Sequence, residues 1–270
     1  MKIKDILNNN ISNEEKLALG QVLNLSIQEL LLNKEKEITK KEEKDFKKIS
    51  KKLERGLPLQ YITKKAYFID SDYYVNKNVL IPRPETEFLV EETYNIIKKE
   101  FNNKKIDILD IGTGSGIIAI SLKKKNSDFN VIATDISKKA IHVAKKNAKK
   151  NKTHVEFINT DLYKNINKKF DVIISNPPYI KENSNNVEKI VKDNEPHIAL
   201  YGGKDGLDYY ERILKNINNI IKEKYIIAFE IGENQGKSIE KIAKKYLKDI
   251  KVIIKKDFNN FDRYIFIISY

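Results

Sequence analysis

The sequence contains no cysteine and no tryptophan, and its 270 residues include a single methionine. Without cysteine, the disulfide frameworks of small secreted proteins are excluded. No run of roughly 18 apolar residues occurs, and no charged segment followed by an apolar one stands near Met1, so the sequence indicates neither a membrane span nor a secretory signal. We therefore expect a soluble, cytoplasmic protein, long enough for one α/β domain and a small accessory domain.

Arginine is also scarce, although the net charge is +13: only four of the 51 basic residues are arginine. Clustered basic residues can neutralise phosphates or bind an acidic partner surface. Abundant Lys, Asn and Ile are also what an AT-rich coding sequence produces at permissive surface positions. The charge therefore leaves both interpretations open, compositional drift and an acidic partner.

Helix signals dominate the first 56 residues. Three pairs match the capping-box pattern, in which Ser or Thr precedes Glu by three positions: Ser12 with Glu15, Ser26 with Glu29, and Thr39 with Glu42. In the last helix Phe46, Ile49 and Leu53 form one apolar stripe until Gly56 and Pro58 end it. The pattern predicts a small helical bundle, and we place this domain at residues 1–65.

Aromatic and β-branched residues are concentrated in residues 66–75, on both sides of Asp70 and Ser71. Such segments around a turn signal indicate a short hairpin. We expect the turn at Asp70-Ser71, and we expect residues 66–80 to link the bundle to the domain that follows.

Strands alternate with helices from about residue 80 onwards. The predicted strands are 106–110, 131–134, 155–158, 170–175 and 226–230. Because these strands are apolar without alternation, both of their faces should be buried, as in a parallel, doubly wound sheet. Two further strands, 251–254 and 263–269, have only residues 257–262 between them, too few for a crossover helix, so they should pair as an antiparallel hairpin. The predicted fold class is α/β, with seven strands in residues 81–270.

A glycine turn stands where the first strand of this sheet meets its first helix: Gly112-Thr113-Gly114-Ser115-Gly116. This is the nucleotide-binding corner of a doubly wound sheet. A dinucleotide fingerprint needs Gly or Ala at the position of Ile117, so a pyrophosphate ligand is disfavoured. Glycines let the backbone approach a ligand closely, which also suits the amino-acid part of S-adenosylmethionine. The alternative is that these glycines form only a tight turn and bind no ligand.

Two acidic residues follow the next two strands. Asp135 is placed to accept hydrogen bonds from both hydroxyls of a ribose, unless it serves only as a helix-entry residue before Ser137. Asp161 is placed for an adenine amino group, with Leu162 as a base contact, unless it is an ordinary turn residue. The predicted cofactor-binding residues are Gly112, Thr113, Gly114, Ser115, Gly116, Asp135, Asp161, Leu162 and Asn176.

The fourth strand is followed by Asn176-Pro177-Pro178-Tyr179, the most specific motif in the chain. Two prolines keep the backbone extended, with carbonyl groups free to accept hydrogen bonds, although an ordinary Pro-Pro loop would look the same. An amide nitrogen is a poor nucleophile, so acceptors must orient it: the Asn176 side-chain oxygen and the Pro177 carbonyl could each accept one N–H while Tyr179 covers the flat face. The three histidines form no ligand cluster, so no metal is expected.

Further segments extend the pattern beyond these motifs: residues 80–87 (LIPRPETE), 58–62 (PLQYI), 194–196 (NEP), 199–207 (ALYGGKDGL), 230–232 (EIG) and 262–263 (DR). With the motif at Asn176, they make the chain resemble the release factor glutamine N5-methyltransferases, the HemK or PrmC type, along nearly its whole length. One departure is Lys64, which stands where that family commonly has glycine.

The resemblance implies a class I, Rossmann-like methyltransferase fold that uses S-adenosylmethionine and releases S-adenosylhomocysteine, without a metal. It implies that the substrate is the glutamine of the Gly-Gly-Gln tripeptide in class-1 peptide chain release factors. Asn176, Pro177, Pro178 and Tyr179 would be the catalytic residues, and the helical domain would help to recognise the factor.

Three different functions compete with this interpretation. An adenine-N6 methyltransferase acting on DNA or RNA has the same Asn-Pro-Pro-Tyr core and the same chemical problem, but it must reach a flipped base and usually carries a sizeable recognition module. Only the small bundle and about 45 residues after Tyr179 are available here, so direct nucleic-acid binding is not expected. The second is a glutamine methyltransferase for a ribosomal protein, and the third is a binding module without activity.

Overall fold

In the computed structural model, which describes residues 1–102, 105–185 and 187–270, the chain divides into two units. The first consists of Met1–Lys64 together with Glu188–Asn194, and the second of Lys65–Val187 and Glu195–Tyr270. Across the described ranges, no helix is both long and apolar enough to cross a membrane.

The first unit is helical. Its helices are α1 (Ile3–Leu7), α2 (Asn13–Leu23), α3 (Ile27–Leu32), α4 (Lys40–Leu53), α5 (Leu59–Thr63) and, later in the chain, α9 (Lys189–Asn194). The three predicted capping boxes are confirmed, because α2, α3 and α4 begin directly after Ser12, Ser26 and Thr39 with both reciprocal hydrogen bonds formed. Leu19, Leu30 and Phe46 are among the buried side chains of its core.

Helix α5 ends at a lysine whose backbone conformation is unusual for a residue with a side chain. Lys64 caps the helix in the left-handed conformation, with φ of 57°, and its N–H donates to the carbonyl of Gln60. Glycine is the usual residue for this conformation, because a Cβ makes it costly. The residue that departs from the family pattern, Lys64, is therefore the residue of 58–64 whose backbone conformation favours glycine.

The second unit begins with a hairpin of β1 (Ala66–Phe68) and β2 (Ser71–Tyr73). The predicted turn position was one residue too late, because Phe68 pairs with Ser71 and leaves Ile69 and Asp70 as the turn. Both turn residues have positive φ, as a type I′ turn requires. This register buries Phe68 and Tyr73 together, whereas a slip by one residue would turn one strand's aromatic ring outward.

A seven-stranded sheet forms the centre of the second unit. Its strands are β3 (Asp107–Ile111), β4 (Asn130–Asp135), β5 (Glu156–Asn159), β6 (Phe170–Ser175), β7 (Ile221–Glu230), β8 (Ile250–Lys256) and β9 (Asp262–Ser269), in the order β5-β4-β3-β6-β7-β9-β8. The first five in chain order are parallel, and β9 lies antiparallel between β7 and β8. The predicted α/β class, doubly wound sheet and C-terminal hairpin are confirmed.

Helices cover both faces of the sheet: α6 (Pro84–Phe101), α7 (Ile117–Lys125) and α8 (Lys138–Lys150), then α10 (Asp208–Lys215) and α11 (Gly236–Tyr246). Short 3₁₀ helices occur at His197–Ala199 and Ile217–Asn219. Successive residues of β3 enter different cores: Ile108 packs in the core that contains α6 and α7, and Leu109 in the core that contains α10 and α11. This double burial is the physical reason that the central strands carry apolar residues on both faces.

The predicted start of β7 was wrong, since the strand begins at Ile221 rather than at residue 226. Its first part carries Lys222, Glu223 and Lys224, which look like loop residues in sequence. Lys222 instead pairs with Asp107 of β3 and Asp171 of β6, at 2.7 and 2.8 Å. A register shift between Phe170 and Val172 accommodates this charged segment.

Candidate active site

A cavity opens beside the carboxyl ends of β3, β4 and β6, where the strand order reverses between β3 and β6. In open α/β sheets ligands bind at such a reversal. Of the residues predicted to hold a cofactor or substrate, those that line the cavity are Gly112, Thr113, Gly114, Ser115, Asp135, Asp161, Leu162, Asn176, Pro177 and Pro178. The lining residues do not include Gly116 or Tyr179.

The glycine turn is built for close approach of a ligand. Gly112 and Gly114 have φ of 73° and 54°, and a Cβ on either would meet no atom within 4 Å, so the space in front of them is open. Gly116 differs, because a Cβ there would press on Ala144 of α8 at 3.1 Å. Two of the three glycines therefore face open space, and the third lets α7 pack closely.

Asp135 holds this turn against the end of β4. Its Oδ2 accepts a hydrogen bond from the Gly114 N–H at 2.9 Å, and its Oδ1 accepts one from the Ser137 N–H at 2.8 Å. Ser137 in turn caps α8 by accepting from Ala140. Burial raises the pKa of Asp135, and the hydrogen bonds from these two backbone donors offset part of that rise. Asp135 thus assists the helix entry and also lines the cavity, so the two interpretations of this residue are compatible.

Asp110, for which the sequence pattern indicated no role beyond ending a strand, is fully buried behind the glycine turn. Its Oδ2 accepts from the Thr113 hydroxyl at 2.6 Å, and burial raises its pKa to about 7. Among the described residues, its Oδ1 is a buried oxygen without a hydrogen-bond partner. An acid two residues before the first glycine of the turn was the available sequence signal.

The predicted adenine contact has a partner from α10. Arg212 donates from Nη2 to both oxygens of Asp161, at 2.7 and 2.8 Å. Leu162, the next residue, has φ of 53°, an uncommon conformation for a residue with a side chain. Tyr209, also from α10, is another lining residue of the cavity. The sequence predicted none of the contributions from α10.

The Asn176 side chain is held from one side. Its Nδ2 donates to the Thr86 hydroxyl at 3.1 Å, and that hydroxyl donates to Glu230 Oε2 at 2.7 Å. The Tyr179 hydroxyl donates to the other oxygen, Oε1, at 3.2 Å. Burial raises the pKa of Tyr179, with a further contribution from the Glu230 charge. Glu230 thus joins both ends of the Asn-Pro-Pro-Tyr motif.

The backbone after this motif is packed by the glycine-rich loop. A Cβ at Gly202 would collide with the Pro178 carbonyl oxygen, and one at Gly206 with that of Tyr179. Gln235 donates to the same Tyr179 carbonyl at 3.1 Å and to that of Gly206 at 3.2 Å. The Tyr179 carbonyl is thus hydrogen-bonded within the protein, whereas Pro177 and Pro178 lie on the cavity wall.

Comparison with known proteins matches both units. Residues 86–203 match the family described as Methyltransferase small domain, and residues 9–63 match the PrmC N-terminal domain. The release factor glutamine methyltransferase of Bacillus cereus is 39% identical over 258 residues, which cover 94% of this chain and 91% of that protein. The chain belongs to the release factor glutamine methyltransferase family. The predicted resemblance is confirmed.

A second relative of this chain is the release factor glutamine methyltransferase of Clostridium acetobutylicum, which is 37% identical over 98% of both chains. A methyltransferase structure from Pyrococcus furiosus aligns with 78% of this chain and 93% of its own, at 20% identity and a TM-score of 0.55. That similarity concerns the fold, which is the class I methyltransferase fold.

In this methyltransferase family member, the segment before α6 forms another wall of the cavity. Ile81, Pro82 and Arg83 line it, together with Pro196. Glu195, which is 5% exposed, accepts from the Ile81 N–H at 3.0 Å and pairs with the Arg83 guanidinium. These two contacts join the segment around Arg83 to the segment around Glu195, and both segments are among those on which the family resemblance rests. Within residues 1–102, 105–185 and 187–270, no group of three or more His, Asp or Glu is placed to hold a metal ion.

Proposed function

We propose that this protein transfers a methyl group from S-adenosylmethionine to the side-chain amide nitrogen of a glutamine in a partner protein. The observation that carries the proposal is the fixed Asn176 amide: its nitrogen is bound to Thr86, so its oxygen is available to an N–H group in the cavity. The relatives named release factor glutamine methyltransferase support the finer statement that the substrate is the glutamine of the Gly-Gly-Gln tripeptide in class-1 release factors.

The cavity fits the proposed cofactor. The open space in front of Gly112 and Gly114 would take the amino-acid part, and Asp135 has acceptor capacity left for ribose hydroxyls after its two backbone donors. Asp161 and Leu162 would contact the adenine. When bound, S-adenosylmethionine would supply an electrophilic methyl group on a positively charged sulfur, and S-adenosylhomocysteine would be the product.

The protein's own contribution is orientation. A glutamine amide nitrogen is weakly nucleophilic, because its lone pair is delocalised into the carbonyl. If Asn176 Oδ1 and the Pro177 carbonyl each accept one of its N–H groups, the nitrogen is held in one orientation. Fixed acceptors need no rearrangement during the reaction, and this is the source of their catalytic effect. No metal is required for a transfer of this kind.

The helical unit completes the proposal. We assign residues 1–65 to recognition of the release factor, residues 66–80 to the link, and residues 81–270 to the methyltransferase domain. The match of residues 9–63 to the PrmC N-terminal domain supports this division. Class-1 release factors act on ribosomes, so we place the protein in the cytoplasm.

Mass spectrometry tests the proposal directly. A release factor incubated with the protein and S-adenosylmethionine should gain the mass of one CH₂ group, because a methyl group replaces one amide hydrogen, which leaves as a proton; peptide mapping should locate this change on the Gly-Gly-Gln glutamine. A factor with that glutamine replaced by alanine is the matched control and should gain nothing. Methylation of adenine in DNA or RNA, or of a ribosomal protein, with an unmodified release factor would overturn it.

A further inference from the structure

Thr86 stands between the Asn176 amide and a buried acid. Its hydroxyl has one hydrogen, which goes to Glu230 Oε2 at 2.7 Å, and its oxygen receives the Asn176 Nδ2 at 3.1 Å. Thr86 is 1% exposed and Glu230 2% exposed, so the hydrogen bond between these two side chains is shielded from bulk water. The three side chains come from α6, from β7 and from the end of β6, and they form one directed chain of hydrogen bonds.

The direction of this chain is set at Glu230. An ionised carboxylate can only accept hydrogen bonds, and Glu230 accepts them from both Thr86 and Tyr179. Thr86 therefore has no hydrogen left for Asn176 and can offer it only a lone pair. Because a lone pair binds a donor, the nitrogen end of the Asn176 amide must face Thr86, and the oxygen end must face away.

We infer that Glu230, acting through the Thr86 hydroxyl, sets the orientation of the Asn176 amide and so makes Asn176 an acceptor toward the substrate. Glu230 and Thr86 are positioning residues in this scheme. The inference rests on the proposed function, in which the substrate presents N–H groups. An Asn176 amide turned by 180° would oppose them with its own N–H groups, and the substrate nitrogen would lose one of its two guides.

The surroundings of Glu230 raise its pKa overall, but each of its two oxygens accepts a hydrogen bond, which is the geometry of an ionised carboxylate. Burial raises its pKa, whereas the hydrogen bonds from Thr86 and Tyr179 and the charge of Arg263 lower it, and Glu85 raises it again. Arg263 is fixed nearby by Asp257, at 3.1 Å, and by the Ile231 carbonyl, at 3.3 Å. The Tyr210 hydroxyl donates to the main-chain carbonyl of Glu230 at 2.8 Å and leaves its carboxylate free for the other two donors.

Two substitutions at Thr86 distinguish the contribution of its hydroxyl to the rate from the contribution of its side-chain packing. Thr86→Val keeps the branched shape but removes the hydroxyl, and we expect kcat for release factor methylation to fall by about 10². The affinity for S-adenosylmethionine should change little, because the glycine turn and Asp135 are untouched. Thr86→Ser restores the hydroxyl without the methyl group and should recover most of the lost rate. Equal rates in the two variants would overturn the inference.

A double-mutant cycle tests whether Thr86 acts through Asn176. In an Asn176→Ala background, Thr86→Val should cause no further loss of single-turnover rate, since the residue being positioned is gone. A purely structural role, such as holding α6 against β7, would lower the melting temperature of Thr86→Val and would add to the loss in Asn176→Ala. Additive losses would therefore contradict the inference.

A readout without substrate keeps this inference separate from the proposed function. The side-chain NH₂ resonances of Asn176, identified by their disappearance in Asn176→Ala, should shift in Thr86→Val and also in Glu230→Gln, which keeps the shape but removes the charge. Unchanged resonances in both variants would refute the positioning role, even if the wild type methylates release factors. Failure of the wild type to methylate a release factor would refute the proposed function instead.

Discussion

The Asp135 carboxylate and the Gly114 N–H, 21 positions apart in sequence, form a hydrogen bond of 2.9 Å. This bond joins the glycine turn after β3 to the end of β4, on the wall of the cavity. The residue proposed to bind the ribose is therefore also the residue that holds the turn proposed to bind the amino-acid part.

Replacing Asp135 by alanine should weaken S-adenosylmethionine binding by about 1.5 to 3 kcal/mol, the cost of losing hydrogen bonds to a charged acceptor. Isothermal titration calorimetry measures this loss. Ser137→Ala, which removes the α8 cap but leaves the carboxylate, is the matched control and should have a smaller effect on affinity. Unchanged affinity in Asp135→Ala would refute the ribose assignment.

Asn176→Ala should reduce methyl transfer by about 10² to 10³, because it removes the side-chain acceptor and leaves the backbone carbonyls in place. Cofactor affinity should change much less, since the glycine turn, Asp135 and Asp161 remain. Single-turnover rates with a release factor, combined with calorimetry for the cofactor, separate the two effects. A variant with full methylation activity would show that the acceptor lies elsewhere.

The buried Asp110 predicts a pH-dependent stability in the protein without cofactor. Burial raises its pKa from 3.8 to about 7, a rise to which the charge of Asp135 also contributes, so the folded state keeps a proton that the unfolded state releases at lower pH. The stability contributed by this group is complete below pH 3.8 and is lost as the pH rises through about 7. Asp110→Asn removes this titration.

The melting temperature of Asp110→Asn should therefore rise relative to that of the wild type between about pH 4 and pH 8, the range about the pKa values above. Differential scanning calorimetry at several pH values gives the comparison. Asp128→Asn, at an exposed position, is the control for a general charge effect. A constant difference between Asp110→Asn and the wild type would show that Asp110 is ionised throughout.

Lys64→Gly should stabilise the protein by about 1 kcal/mol, because it relieves the left-handed conformation of a residue with a Cβ. The greater entropy of glycine in the unfolded chain offsets part of this gain. Urea denaturation measures the change. Lys64→Ala removes the long side chain but keeps the Cβ and should bring no such gain. Equal stabilisation by both substitutions would locate the effect in the lysine charge.

Short-range signals account for most of what was predictable. The capping boxes need residues three positions apart, the glycine turn needs five consecutive residues, and the apolar strands are continuous, so each can be recognised without the fold. These signals predicted the α/β class, the C-terminal hairpin and the family, and all three are confirmed. The residue roles in the site stay predictions, and the structure adds that most of those residues line one cavity.

The remaining features depend on contacts between distant residues. Thr86 and Glu230 are 144 positions apart, and Asp161 and Arg212 are 51 apart, and neither pair has a local pattern that marks it. The start of β7 was missed for the same reason, because its lysine is neutralised by acids on two other strands.

By itself, the sequence determined which chemical groups this protein has at the ends of its strands, since motif spacing and strand periodicity are properties of adjacent residues. Only the tertiary structure decided how those groups are held. The orientation of the Asn176 amide depends on a hydroxyl from α6 and an acid from β7, and hydrogen-bond direction is defined only when the partners meet in space.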